Sequence, residues 1–468
     1  MTSCRDLLDD TTRREARRLL DAALLRHRGE PVGTVASTDP EAQALNYDQC
    51  FVRDFVPVGL YYLAQGEPAI VRGFLDTTRS LQAAEHTLDC YRPGEGLIPA
   101  SFGVARDGGG EGLVPDFGGH AIGRVAPVDS GLWWLYLLRA YTRLSGDTDL
   151  AARSDFQVAI RRLLELCLVS RFDMYPTLLV PDGAFMVDRR LGVYGYPLEV
   201  QALFWMALRA ADELLTDASA NGPYREAVQD RLGKLAYYVP TYYWLDMERL
   251  NALHRYATEE YGAEAVNAFN VFPDSIPDWL PEWLPDGGGY LAGNLGPARM
   301  DFRFFTQGNL LAALSGLTGP GQSAALLELL VRKSDDLMGT MPLKLCFPAY
   351  EGRDWETVTG CDPKNSPWSY HNGGSWPVLL WPLAAVAVAQ GRPEVARAAV
   401  RAAVPRLRES AWPEYFDGRS GRLVGREARR YQTWTLAAPL LAEQLLQRPD
   451  LLDAVGYPAD QAGESCPM

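Results

Sequence analysis

The sequence carries no CxxC pair, no HExxH, no EF-hand loop and only five widely dispersed histidines (His27, His86, His120, His254, His371). Metal needs ligands at set spacings, so metal catalysis is not expected, and no cofactor is expected either. A P-loop lysine motif, GxGxxG and GxSxG are also missing, which removes the usual phosphate cradles and the serine-hydrolase elbow. No apolar run is long enough to span a bilayer, and no stretch forms a sustained basic block. With a net charge of −14 and a pI near 5.0, neither nucleic acid nor an anionic membrane is an expected partner. The seven cysteines (Cys4, Cys50, Cys90, Cys167, Cys346, Cys361, Cys466) are scattered and odd in number, which reads as free thiols in a reducing compartment. The segment MTSCRDLLDDTTRREARRLL mixes acids with arginines and lacks an apolar core, so a cytoplasmic location is expected.

What is present is helix. At 468 residues the length alone favours two domains. The pattern argues otherwise. Ala16, Leu19, Leu20, Ala23 and Leu24 mark a first helix ended by Gly29; others run through Phe55 to Gln65 and from Glu67-Pro68 past Phe74. The spacing predicts more over Gly131 to Leu144, Ile160 to Leu168, Leu198 to Leu215, Tyr224 to Tyr238, Asn309 to Leu317, Ala324 to Leu337, Trp376 to Ala389, Pro393 to Val404 and Trp434 to Leu446. That is roughly a dozen helices in consecutive antiparallel pairs, with no strand long enough to found a sheet and no exact internal repeat. The expected fold is all-α: one (α/α)6 barrel over residues 1–468, with a short helical segment at about 1–30 and short β-hairpins in the loops over one end.

Those loops hold the chemistry. NYDQCFVRDF (46–55), EGLIPASF (95–102), DFGGHAIGRVAPVDSGLWW (116–134), GGGYLAGNLGPARMDFRFF (287–305), CDPKNSPWSYHNGGSWP (361–377) and WPEYFDGRSGRLVG (412–425) each mix acids, amides or a histidine with aromatic rings. Together they suggest one polar pocket with aromatic walls, although the 12 Trp and 22 Tyr also suit a helical core. In VPDGAFMVDRRLGVYGYPLEVQ (180–201), Pro181-Asp182-Gly183 is a turn signal and Ala184 to Val187 a short returning strand, leaving Asp188 beside Phe185, Met186 and Tyr196. Such walls can hold a carboxyl proton at neutral pH; pairing with Arg189 or Arg190 at the surface is the plainer alternative. Glu414 has a similar setting on a short strand beside Trp412 and Tyr415, ahead of the hairpin signal Phe416-Asp417-Gly418-Arg419. Glycoside hydrolysis needs such a pair of carboxyl groups. Asp48, Asp54, Glu95, Asp116, Asp129, Asp301 and Asp362 lie in comparable loops, so the residues alone do not rank the acids. His371-Asn372 reads equally as a substrate contact or as a turn before an N-cap at Ser375.

In order along the chain, NYDQCFVRDF, GEGLIPASF, AIGRVAPVDSGLWWLYLLRAYT, MVDRRLGVYGYPLEVQALFWMALR, PARMDFRFF, CDPKNSPWSYHNGGSWPVLLW and YQTW resemble the alkaline/neutral invertases of cyanobacteria and plants. The match extends from about Asn46 to about Ala437. The resemblance implies an (α/α)6 glycoside hydrolase that cleaves sucrose with inversion and without metal inside the cell, commonly as a homo-oligomer. It makes Asp188 the general acid and Glu414 the general base. By the same carry-over, Tyr47, Phe51, Arg53, Asp54, Asp129, Arg190, Tyr196, Trp368, His371, Asn372, Gln432 and Trp434 are expected at the sugar. One departure stands out: the family has an acidic residue after DFG where this chain has Gly119-His120. Alternatives are another (α/α)6 glycosidase, acting on trehalose or an α-glucosyl disaccharide, and a sugar-binding protein without activity.

Overall fold

Glycine and proline punctuate the chain at matching places. Gly66, Gly146, Gly316 and Gly391 each take a positive φ just past a helix end, where a residue without Cβ reverses the chain at little cost. Pro68, Pro320 and Pro393 then open the next helix in its first turn, where a missing N–H leaves no gap in the ladder. The computed structural model describes residues 7–457 apart from 42–45, 85–93, 108–109, 121–124, 170–175, 181–182, 184, 188–190, 192, 217, 252, 255–265, 268–274, 286–287 and 297–298.

Twelve of the helices among the described residues form the frame: α1 (Asp10–Ala22), α2 (Val52–Ala64), α3 (Pro68–Ser80), α4 (Ser130–Ser145), α5 (Ser154–Cys167), α6 (Leu198–Leu214), α7 (Ala218–Tyr242), α8 (Thr306–Leu314), α9 (Pro320–Arg332), α10 (Leu380–Ala389), α11 (Pro393–Glu409) and α12 (Thr433–Gln447). The even-numbered helices pack α2 on α4, α4 on α6, α6 on α8, α8 on α10, α10 on α12, and α12 back on α2, closing an inner ring. Odd-numbered helices stand outside: α3 on α2 and α4, α7 on α6, α9 on α8, α11 on α10 and α12. Phe156 of α5 stacks on Trp134 of α4 at 5.7 Å. Inner helices are buried on nearly every side, as α6 is from Leu198 to Leu208. An outer helix needs only one apolar stripe, and α1 buries Thr12, Ala16 and Leu20 at four-residue spacing. This is the (α/α)6 barrel expected from the sequence.

The first helix is more than a leading segment. It packs on α12, and the buried Glu443 of α12 accepts Arg13 Nε at 2.9 Å and Leu8 N at 3.0 Å, so α1 completes the outer ring. It also ends earlier than its apolar pattern implies. Leu24 and Leu25 leave it for β1 (Leu24–His27), which turns through Arg28 and Gly29, both at positive φ, into β2 (Glu30–Thr34).

Hairpins gather at the starts of the inner helices. β3 (Cys50–Phe51) pairs with β4 (Ser101–Asp107), which pairs with β5 (Gly110–Asp116) in register Ser101↔Asp116. β6 (Tyr196–Pro197) leads into α6 and pairs with β7 (Asn294–Gly296). Two expectations need correction here. Residues 185–187 form bends and no returning strand, because Val180 exchanges both backbone hydrogen bonds with Gly195 instead. Ser375 caps no helix: it bridges Lys344 and Phe416, and the following 3-10 turn starts from Trp376 without a side-chain cap.

Candidate active site

Four inner helices begin with polar side chains at one end of the ring. Arg53 and Asp54 lie in the first turn of α2, Asp129 precedes α4, Glu199 sits in the first turn of α6, and Gln432 precedes α12. Helix starts carry a partial positive charge, which favours acids there. All five residues except Arg53 are almost fully buried. Arg53 Nη1 donates to Asp129 Oδ2 at 2.7 Å, and its Nε stands 3.8 Å from Asp54 Oδ1. Gln432 Nε2 lies 3.5 Å from Asp54 Oδ2, at the limit of a hydrogen bond.

Crowding these acids around one guanidinium shifts their protons. Burial pushes the Asp54 carboxyl up to about 7; the Arg53 cation pulls it down, while Glu414 and Asp129 add to the rise. Burial and then the Asp129 charge raise Glu199 to about 8, against Arg53 and the backbone N–H groups of Met186 and Val187. Glu199 accepts Met186 N at 3.2 Å with one oxygen, and the other is buried without a partner.

Glu414 comes from the opposite kind of structure, an irregular loop between α11 and α12. It lies on a bend and on no strand, but Glu414 N donates to Arg429 O at 2.8 Å and Gly425 N to Tyr415 O at 2.9 Å, so the two arms still pair. The side chain is 3% exposed. Tyr47 donates its hydroxyl to Glu414 Oε1 at 2.9 Å, while Oε2 is buried and unpartnered. Burial, and then the Glu414 carboxylate, hold the Tyr47 phenol well above its ordinary range, so it remains a donor. A backbone lattice fixes both: Ser37 N donates to Tyr47 O, Thr433 N to Ala36 O, and Gln432 N to Trp412 O, all at 2.9–3.0 Å.

An aromatic wall stands behind Glu414. Tyr415 stacks on Trp376 at 5.3 Å, His371 lies on Tyr370 at 3.8 Å, and Trp434 meets Trp376 edge-on at 5.7 Å. Trp434 Nε1 and Gln432 Oε1 are buried without partners. Phe51 lies 6.4 Å from Tyr47. Other expected contacts are occupied within the protein. Asn372 Oδ1 accepts Tyr350 N at 2.6 Å, and its Nδ2 donates to the carbonyls of Tyr350 and Asn365. Trp368 Nε1 donates to Glu351 at 2.7 Å. Tyr196 is buried, its backbone carbonyl accepting the Tyr243 hydroxyl at 2.7 Å. Asp188 and Arg190 lie outside the described residues, although the flanking Phe185, Met186, Val187 and Leu191 are buried. At the departure from the family pattern, the half-exposed His120 lies 2.9 Å from Asp116, whose other oxygen accepts Gly118 N and Gly119 N.

A family model described as alkaline and neutral invertase matches residues 16–449. The chain belongs to the alkaline and neutral invertase family. It is 51% identical over 462 residues to alkaline/neutral invertase C, mitochondrial, of Arabidopsis thaliana, covering 97% of this chain and 70% of that one. It is 52% identical over 446 residues to cytosolic invertase 1 of Oryza sativa subsp. japonica, covering 95% and 79%. Among solved structures it resembles a bacterial glucoamylase complexed with acarbose, with a TM-score of 0.55, 13% identity and coverage of 95% and 57%. It also resembles a GH63 mannosylglycerate hydrolase from Thermus thermophilus, with a TM-score of 0.55, 12% identity and coverage of 92% and 99%. At such identities these two likenesses speak to the barrel alone. As a member of the invertase family the protein is a glycoside hydrolase.

Sequence reasoning passed over two residues beside this site, Glu199 and Arg429. Glu199 had a visible signal: it is the one charged residue in LEVQALFWMAL, a run apolar except for it and Gln201 that fits a helix buried all round. Arg429 had none, being one of five arginines between positions 419 and 430.

Proposed function

We propose that the protein hydrolyses sucrose to glucose and fructose with inversion, Asp188 acting as general acid and Glu414 as general base. The observation that carries the reading is the condition of Glu414. One oxygen is fixed by a phenol that stays protonated, and the other is buried with nothing to accept, as a base awaiting a water or sugar hydroxyl would be. Unpartnered polar atoms on Gln432 and Trp434 supply further hydrogen-bonding positions for sugar hydroxyls.

The Asp188 carboxyl proton passes to the glycosidic oxygen as the bond to the anomeric carbon breaks. Water adds to that carbon from the opposite face, and its proton goes to Glu414. Exchange with solvent resets both groups. Inversion needs room for the water, so the two carboxyl groups should stand roughly 6.5–9.5 Å apart; about 5 Å belongs to the retaining mechanism. Arg53, Asp54, Asp129 and Arg190 fit the same reading as sugar contacts, with Tyr47 and Phe51 at the base side. Asn372 serves as a brace for the loop that carries His371 and Trp368.

A cytoplasmic setting accords with the free thiols of Cys50, Cys167, Cys346 and Cys361. Assembly into homo-oligomers accords with the exposed rings of Tyr237 and Tyr242 on α7, 6.5 Å apart. No helix among the described residues is long and apolar enough to cross a membrane. The deciding experiment is purified protein with sucrose at neutral pH, read by release of glucose and fructose and by the anomer first formed. A protein that leaves sucrose intact while cleaving trehalose or another α-glucosyl disaccharide refutes the reading.

A further inference from the structure

Arg429 is placed beside the proposed base, and its side chain has no hydrogen-bond or ion-pair partner among the described residues. Its carbonyl accepts Glu414 N at 2.8 Å, which fixes its backbone against the base. Its guanidinium carbon stands 5.3 Å over the ring of Tyr47, whose hydroxyl donates to Glu414. Among the described residues the guanidinium meets no hydrogen-bond or ion-pair partner, and its Nε is buried. Arg426, Arg430 and Arg419 of the same loop find partners, at Pro363 O (2.8 Å), Glu41 (3.7 Å) and Glu351 (3.5 Å), and Arg422, whose side chain has no partner among the described residues, is exposed, whereas Arg429 has a buried Nε.

A half-buried cation loses part of its hydration, and a buried Nε–H with no acceptor beside a catalytic carboxylate calls for a ligand that supplies one. Five N–H groups in one plane suit the oxygens of adjacent sugar hydroxyls. Exposure suggests which sugar. Glu414, Gln432 and Asp54 are 3%, 1% and 6% exposed, whereas Arg429 is half-buried and so reaches nearer to solvent than they do. In a pocket that takes one sugar deep, the departing half stays toward the mouth.

Resting on the sucrose-hydrolysis reading, we propose that Arg429 is a specificity-determining residue that hydrogen-bonds the leaving sugar at the mouth of the site. Its side chain can be changed without touching the carbonyl that holds Glu414 N, so the base keeps its backbone anchor.

The test compares wild type, Arg429→Ala and Arg429→Lys in sucrose hydrolysis, with product inhibition by glucose and by fructose measured separately. Arg429→Ala is expected to raise KM about 10- to 100-fold, the range for losing charge-assisted hydrogen bonds, while kcat changes by less than about threefold. Inhibition by one of the two hexoses should weaken by about tenfold and inhibition by the other should hold. Arg429→Lys should fall between, and added guanidinium should partly restore Arg429→Ala, which a folding defect would not allow. Unchanged KM and inhibition constants in both variants overturn the proposal, as does a fall in kcat alone, which would assign Arg429 to positioning Tyr47 and Glu414. Wild type inactive on sucrose refutes the underlying reading and this proposal with it; active wild type with indifferent Arg429 variants refutes this proposal alone.

Discussion

The two sides of the candidate site are built in opposite ways. Arg53, Asp54, Asp129 and Glu199 hang from the starts of helices, on backbone that the inner ring would fix whatever the site did. Glu414, Trp368 and His371 hang from loops in which Trp368, Tyr370, Ala411, Trp412, Glu427 and Tyr431 all take positive φ. A non-glycine residue there costs on the order of 1–3 kcal/mol, and only dense surrounding bonds hold it. Electrostatic strain is divided the other way: the helix side crowds acids around Arg53, and the loop side gives Glu414 a neutral phenol. One half thus stores its cost in protons and the other in backbone.

The largest effect should come from the loop side without disturbing either store. Glu414→Gln keeps shape and the Tyr47 hydrogen bond, so thermal stability should hold while kcat for sucrose falls by roughly 10²–10⁴ or more. Asp188→Asn should do the same; substantial turnover in either variant refutes the pair. Next is Asn372→Ala, which strips partners from the buried backbone of Tyr350 and Asn365. A loss of about 2–4 kcal/mol in chemical denaturation is expected, and a near-neutral result would mean that the loop is held elsewhere.

The helix side predicts a pH effect of comparable or smaller size. Asp54 and Glu199 sit at about 7 and about 8 in the folded chain, above the usual carboxylate values, so the folded state binds protons that the unfolded state releases. Their contribution is full below about pH 4 and is lost as pH rises through 7 and 8, on the order of a few kcal/mol together. Asp54→Asn and Glu199→Gln should flatten that decline in urea denaturation between pH 5 and pH 9. A decline of unchanged slope in both variants places the protons elsewhere. The smallest effect separates the backbones: Ala411→Gly should be neutral or stabilising by up to about 1 kcal/mol, whereas Ala202→Gly inside α6 should destabilise by about 1 kcal/mol. Equal losses at both sites would remove the contrast.

Helices were legible because their signals are local. Gly66 and Gly391 end them, Pro68 and Pro393 start them, and apolar spacing fills the interval. The closing of the ring through α1 was not legible, since Arg13 and Glu443 are 430 positions apart and nothing near either names the other. The strand expected at 184–187 is absent over its described residues, 185–187, for a related reason: Val180 has its partner in Gly195, beyond the turn signal that suggested a tight hairpin. For the site, motifs gave the neighbourhood of Glu414 and could not say that Asn372 faces backbone or that Glu199 is buried against Met186.

The bond from Leu8 N to Glu443 spans 435 positions, which gives the barrel a history as well as a shape. During synthesis the first helix emerges with its apolar stripe bare and must wait for the last inner helix before either is covered. Pairing so remote slows folding and leaves the nascent inner helices open to mispairing. The ring therefore cannot close until α12 has been made, and a chaperone that shields the early helices should raise the yield of active protein more than its rate of synthesis.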